Sequence, residues 1–422
     1  MKWQVAVLLA LATSLPGGAA RAEEASSTAL SLHGFLLAET AARTTGQRPP
    51  GGDGGDFVLA EERLRLELTG GAGGAQLLVK GEAAHDAIGK EVAVDLREAY
   101  VAHAIGPADL RLGRLIVTWG VGDLFFINDV FPKDWESFFS GRPLEYLKVG
   151  VDGVQVRFST PVVDAELLAI PFFTPDTLPS ASRFSSFFPY AGVPGQREEL
   201  PPARFSNTEL AARLYRHVAG FDVSLYASRG YWRMPSIRLD DPVAPSTATR
   251  FYPELSTYGA SLQRNLLAGT LSVEAGYYDS RSDRRGTDPT IPNSQWRFLA
   301  GYQRELRPDF TAGLQVYGEL MSSYGAYRSS LPPGAPPQDE LRGVISLRLT
   351  RLLDYQAWRL SLFVAYSPTD EDYFVQPEVA YKVTDTLSVR AGANVLGGRH
   401  DWTFFGQFAR NDDVFLAGRL DF

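Results

Sequence analysis

The side chains best placed by type and spacing to do chemistry are arginines set at alternate positions in apolar runs. Arg63, Arg65 and Glu67 interleave with Leu64, Leu66 and Leu68. On an extended chain successive side chains point to opposite faces, so this spacing puts the charges together on one face and the leucines on the other. Arg97, Arg111, Arg157, Arg213, Arg348 and Arg390 sit in similar surroundings. A guanidinium fork does not perform a reaction by itself. It binds and sorts solutes by charge and hydrogen bonding. A second group of side chains is acidic and aromatic: Asp123, Asp129, Asp134 and Glu136 with Phe125, Phe126, Phe131 and Trp135. If the two groups faced each other across a narrow passage, they would impose a transverse field that selects ions and polar solutes. A plainer arrangement uses the same residues. The acidic segment would be an outer lid or a partner-facing loop, and the arginines would balance Glu67, Glu82, Glu166, Glu209 and Glu378 across a wall.

The sequence argues against covalent and metal chemistry. There is no cysteine, hence no disulfide framework, thiolate metal site or Cys nucleophile. The five histidines, His33, His85, His103, His217 and His400, are dispersed. No GxSxG, HExxH, Walker or Rossmann pattern occurs. The expectation is a protein that is not an enzyme and has no cofactor, with a catalytic site at a barrel rim as the least favoured alternative. The acidic groups Asp240-Asp241, Asp370 to Asp372 and Asp412-Asp413 read as solvated loop tips; binding of divalent cations is the other reading. A net charge of −8 gives nucleic acid no basic surface.

Elements that could position these residues are strands. Phe57 to Thr69 segregates its charges completely on a two-residue period, which a helix would scatter. The rest of the chain repeats the pattern of strand, long polar loop, strand and tight turn. Tight turns are read at Gly70 to Gly74, Gly106-Pro107, Thr160-Pro161, Ala219-Gly220, Arg307 to Asp309 and Thr384-Asp385. Long loops are read at Thr174 to Arg204, Gly230 to Glu254, Ser280 to Ser294 and Ser322 to Glu340. Alternating short and long connections predict an all-β fold, a transmembrane antiparallel barrel with short periplasmic turns and long outer loops. Both termini on the periplasmic side require an even strand count. About eighteen strands result when Val395 to Asp412 is one loop, and about sixteen if one weak pair is discounted. Lys2, the apolar run Val5 to Ala12 and the small-x-small triplet Ala20 to Ala22 read as a secretory signal peptide over residues 1–22. Residues 23–422 then form a single barrel domain.

The last strand, DVFLAGRLDF from Asp413 to Phe422, resembles the closing strand of outer-membrane barrels. In that resemblance Leu416, Leu420 and Phe422 form the signal read by the barrel assembly machinery. The segment from Leu96 to Phe139 carries REAYV, a hairpin, LRLGR, then Trp119-Gly120 and an Asp/Pro-containing loop. With the C-terminal FGQFARNDDVFLAGRLDF it resembles porin-like outer-membrane proteins of proteobacteria, a group that includes alginate-export and substrate-selective porins. The chain departs from that pattern at Phe131-Pro132, where such loops often have Asn-Pro. The resemblance implies location in a Gram-negative outer membrane after general secretion, and contact with outer-membrane lipid and lipopolysaccharide. It also implies a monomer or homotrimer. The implied function is diffusion of small polar or charged solutes, with an export conduit for polysaccharide or lipid, working with a periplasmic partner, as the alternative.

Overall fold

The protein is described by a computed structural model covering residues 30–46, 48–49 and 55–422. The signal peptide read over residues 1–22 lies outside the described residues. In chain order the strands are β1 (Ser31–Arg43), β2 (Phe57–Ala72), β3 (Ala75–Asp86), β4 (Glu91–Ile105), β5 (Ala108–Leu115), β6 (Val151–Ser159) and β7 (Asp164–Ile170). Then come β8 (Gly195–Glu199), β9 (Glu209–Val218), β10 (Phe221–Tyr231), β11 (Ser236–Leu239), β12 (Thr247–Phe251), β13 (Glu254–Leu266) and β14 (Gly269–Ser280). The last are β15 (Gln295–Arg307), β16 (Phe310–Met321), β17 (Leu341–Leu353), β18 (Trp358–Ser367), β19 (Asp372–Lys382), β20 (Leu387–Gly398) and β21 (Asp413–Asp421). Two short helices, α1 (Trp135–Phe139) and α2 (Tyr324–Ser330), lie in connections.

Eighteen of these strands form one antiparallel sheet. It closes where β1 pairs with β21, from Phe35 opposite Asp421 to Arg43 opposite Asp413. Closure leaves no open edge, so all the wall's backbone donors and acceptors can be satisfied within it. The strand count and the even parity agree with the sequence reading, and no wall strand lies between Gly398 and Asp413. The tight turns named from the sequence all lie on the rim where β1 begins and β21 ends, whereas two further short connections, 87–90 and 368–371, lie on the opposite rim.

Direct pairing keeps one register face outside. Leu387, Leu420, Leu36 and Leu64 form a continuous row across β20, β21, β1 and β2. Leu36, Leu66, Leu112, Leu167, Leu225, Leu314 and Ile345 are likewise exposed on the exterior. Such an apolar sheath faces hydrocarbon. No described helix is long and apolar enough to cross a membrane; a barrel crosses with its strands. The opposite face of each strand points inward, and the charged positions Arg63, Arg65 and Glu67 are on it.

Several boundaries differ from the sequence reading. β5 stops at Leu115, where the chain leaves the wall. β6 begins at Val151, after a 3-10 turn at Leu144–Leu147. β20 runs on to Gly398. Two connections read as plain loops contain strands. β8 pairs in parallel with β12, and β12 in antiparallel with β11, so the loops 171–208 and 232–253 join in a small sheet beyond the wall. Single-chain periodicity cannot reveal this sheet, because its strands are four or five residues long.

Candidate functional site

The chain from Ile116 to Gly150 leaves the wall after β5, runs through the barrel interior and rejoins the wall at β6. Apolar side chains give it a footing at both ends. Trp119 and Phe131 pack with Leu115, Val151, Leu168, Ile170 and Tyr226, all from β5, β6, β7 and β10. Phe131 meets Trp119 edge-on at 5.1 Å. Further along, Phe125 stacks on Tyr317 of β16 at 5.1 Å. α1 lays Phe138 and Phe139 against Phe374 of β19, and Phe139 against Phe408 from the loop before β21. Phe184 from the loop after β7 joins the same packing. This interior cluster is buried and aromatic.

Polar contacts pin the segment to opposite walls. Arg142 donates to Glu61 of β2 at 2.7 Å. Glu145 accepts from Arg65 at 2.5 Å, and its backbone carbonyl accepts from Arg97 at 2.8 Å. Arg419 of β21 approaches Glu145 at 3.5 Å. The buried ring of Tyr146 is faced by Arg63, Arg65 and Arg97 at 4.6, 5.1 and 4.8 Å from its centroid. On the far side the carboxylate of Asp123 pairs with the guanidinium of Arg348 on β17.

The acidic and aromatic residues singled out from sequence therefore separate into two roles. Asp123 keeps an open side chain, 43% exposed, beside Arg348 at 29%. The others are engaged in contacts that hold the segment together. Asp129 is 4% exposed and takes Lys133 and Lys148, each at 2.9 Å. Asp134 caps α1, accepting from the Ser137 backbone N–H at 2.8 Å and its hydroxyl at 2.7 Å. Burial pushes the Asp134 carboxyl above its ordinary range, against these hydrogen bonds. Glu136 accepts from the Ser180 N–H and pairs with Arg183. Trp135 donates its indole N–H to Asp176 at 3.0 Å. Phe131 is buried.

The arginines divide in the same way. Arg63 and Arg65 are committed to Glu61, Glu82 and Glu145. Arg390 is shared between Glu39 and Glu378. Glu67 pairs with Lys80 at 3.5 Å. This is the charge-balancing arrangement. Arg111 keeps looser contacts, to Asp109 at 3.3 Å and over the Tyr100 ring. Arg213 donates to Ser224 at 3.1 Å between Tyr215 and Tyr226. Among the described residues the Arg157 side chain makes no hydrogen bond or ion pair. Glu166 and Glu209 are answered by Gln155 and Arg233 instead of by the named arginines.

Sequence reasoning did not single out Glu274, Tyr146, Arg142 or Arg233, each a fixed point of the interior segment. Their partners are remote in sequence and no local motif marks them. His85 and His217 form exposed pairs with Glu62 and Asp222. Among the described residues no group of three His, Asp or Glu side chains converges. Asp240 and Asp241 instead accept backbone N–H groups of their own turn. At the seam, Leu416, Leu420 and Phe422 are exposed, and the backbone of Phe422 exchanges two hydrogen bonds of 2.9 Å with Gly34.

No family model and no curated protein matches the chain. Solved structures do. OccAB3 of Acinetobacter baumannii is 10% identical with a TM-score of 0.56, covering 93% of this chain and 99% of its own. OccK2 (OpdF) of Pseudomonas aeruginosa, solved in complex with glucuronate, is 12% identical with a TM-score of 0.57, over 93% of this chain and 97% of its own. OccD3 (OpdP) of the same organism is 10% identical with a TM-score of 0.56, over 94% and 93%. At these identities the likeness establishes a shared fold, the closed antiparallel barrel.

Proposed function

We propose that this barrel is an outer-membrane channel through which small polar or charged solutes diffuse, and that the segment Ile116 to Gly150 is its constriction. One observation carries the reading: a long connection crosses the lumen and holds an open acid, Asp123, against a wall arginine, Arg348. A charged pair at a narrowing sorts solutes by sign and hydrogen bonding. The apolar exterior and the closed wall suit a bilayer, and exported barrels of this kind reside in Gram-negative outer membranes. The leader read at residues 1–22 supplies the export route. Arg111, Arg157 and Arg213, with few acidic partners, suit anionic solutes such as the sugar acid bound by OccK2.

The polymer-export reading, which the alginate-export resemblance would favour, asks for an unobstructed lumen. The aromatic packing of α1 against Phe374 and Phe408 leaves little room for a chain of sugars. No reaction is assigned. The test is conductance of the reconstituted protein in planar bilayers under a salt gradient. Discrete steps with an ion preference support the channel; a folded, silent barrel refutes it.

A further inference from the structure

We infer that Glu274 on β14 is the positioning residue that sets the bore, by stapling the bend that displays Asp123. The inference rests on the channel reading above. Glu274 is 1% exposed and points inward from the wall. Its carboxylate accepts from the backbone N–H groups of Val121 at 2.8 Å, Gly122 at 3.2 Å and Asn128 at 2.8 Å, and from the Asn128 side chain at 2.9 Å. A carboxylate is an acceptor only, and these four donors occupy its two oxygens. Bonds to an ionised acceptor are among the stronger hydrogen bonds. The donors flank Asp123 on both sides, so one side chain closes both ends of the bend.

The wall beside Glu274 is shaped to receive the bend. Gly259 of β13 and Gly276 of β14 are directly paired and form a recess. A Cβ on Gly259 would lie 1.9 Å from Asn128 Oδ1, and one on Gly276 would lie 2.7 Å from Ile127 Cγ2. Glycine within a strand marks a close approach of another backbone. Tyr278 completes the socket, its hydroxyl donating to the Ile127 carbonyl at 2.5 Å. Held this way, Asp123 reaches Arg348 and its own N–H reaches Gln315 at 3.1 Å.

Two variants reach the socket by independent routes. Glu274→Gln weakens the acceptor, and Gly276→Val keeps the carboxylate but fills the recess. Both leave the strand pairing intact, and folding is checked by the heat-modifiable gel shift. In planar bilayers each is expected to conduct about twofold more than wild type or higher, with a noisier open state. In either background Asp123→Asn should no longer move the reversal potential, although it does in the otherwise wild-type channel. A general loss of stability would not abolish that dependence selectively. Hydrogen exchange gives a readout apart from current: the Val121, Gly122 and Asn128 amides are protected in wild type and should exchange faster in both variants. Folded variants with wild-type conductance, an undiminished Asp123→Asn effect and unchanged exchange would overturn the role of Glu274. A silent wild type would refute the channel reading itself, whereas unchanged exchange would refute the staple whatever the current.

Discussion

Asp123 and Arg348 are 225 positions apart in sequence and meet inside the barrel, with Arg348 Nη2 at 3.1 Å from Asp123 Oδ1. The guanidinium also lies over the Phe363 ring, 4.8 Å from its centroid. One partner belongs to the inward segment and the other to the wall, so the pair reports how the segment is seated. Both side chains are partly exposed, so solvent screens their attraction, and the pair contributes ~1 kcal/mol or less to stability.

Its expected importance lies in selectivity. Asp123→Asn leaves an unbalanced guanidinium at the narrowing and should move the reversal potential toward anions. Arg348→Gln should move it toward cations. Neither should shift thermal unfolding by more than ~1 kcal/mol equivalent. Reversal potentials measured under a salt gradient decide this; shifts of the same sign in both variants would remove the pair from the conduction path.

Phe139 tests the buried aromatic packing that seats α1. It is buried among Phe374, Phe404 and Phe408. Phe139→Ala removes these contacts and leaves a cavity, at a cost of ~3–5 kcal/mol. The loss should fall on the interior segment, because the wall's own ladder is untouched. Limited proteolysis of the solubilised barrel should then cut between Gly120 and Gly150, at sites resistant in wild type, while the barrel remains heat-modifiable. Continued resistance would mean that other contacts hold the segment.

The turn between β11 and β12 carries a pH dependence of its own. The Ser246 hydroxyl, then the Thr247 N–H and further backbone N–H groups, hold the Asp240 carboxyl down to about 2 from an ordinary 3.8. A depressed carboxylate stabilises its turn fully above the ordinary value and loses that effect as pH falls through the depressed one. Hydrogen exchange at Ser246 and Thr247 should therefore stay slow at pH 4 and quicken as pH 2 is approached. Quickening already near pH 5 would contradict the assignment.

The seam offers a test of assembly. Phe422 closes against Gly34 through two backbone bonds at the turn-side rim. Removal of Phe422 should lower the fraction of heat-modifiable protein recovered from membranes, while the molecules that do fold conduct normally. An unchanged folded fraction would leave Phe422 without a part in assembly.

The wall was legible in the sequence because a lipid-facing barrel repeats one rule along its length. Leu64, Leu66 and Leu68 against Arg63, Arg65 and Glu67 suffice to orient β2, and the tight turns fix its neighbours. The interior segment was legible only as a run of unusual composition. Nothing local distinguishes Asp123, which stays open, from Asp129, which is buried between two lysines: that difference comes from Lys133 and Lys148 folding back. Glu274 reads as one more inward polar residue of a strand, and its four donors lie about 150 positions away. Gly259 and Gly276 fit a close approach of another backbone, but glycine in a strand did not single them out: Gly81, Gly343 and Gly418 lie within strands with nothing within 4 Å of where a Cβ would be.

The central claim is that the inward segment narrows a conducting barrel. It is tested most directly by replacing Phe125 to Phe138 with a short Gly-Ser linker and comparing single-channel conductance with wild type in planar bilayers. The expected result is a folded, heat-modifiable barrel whose unit conductance is severalfold larger and whose ion preference is weaker. A folded variant with the wild-type conductance and selectivity would contradict it.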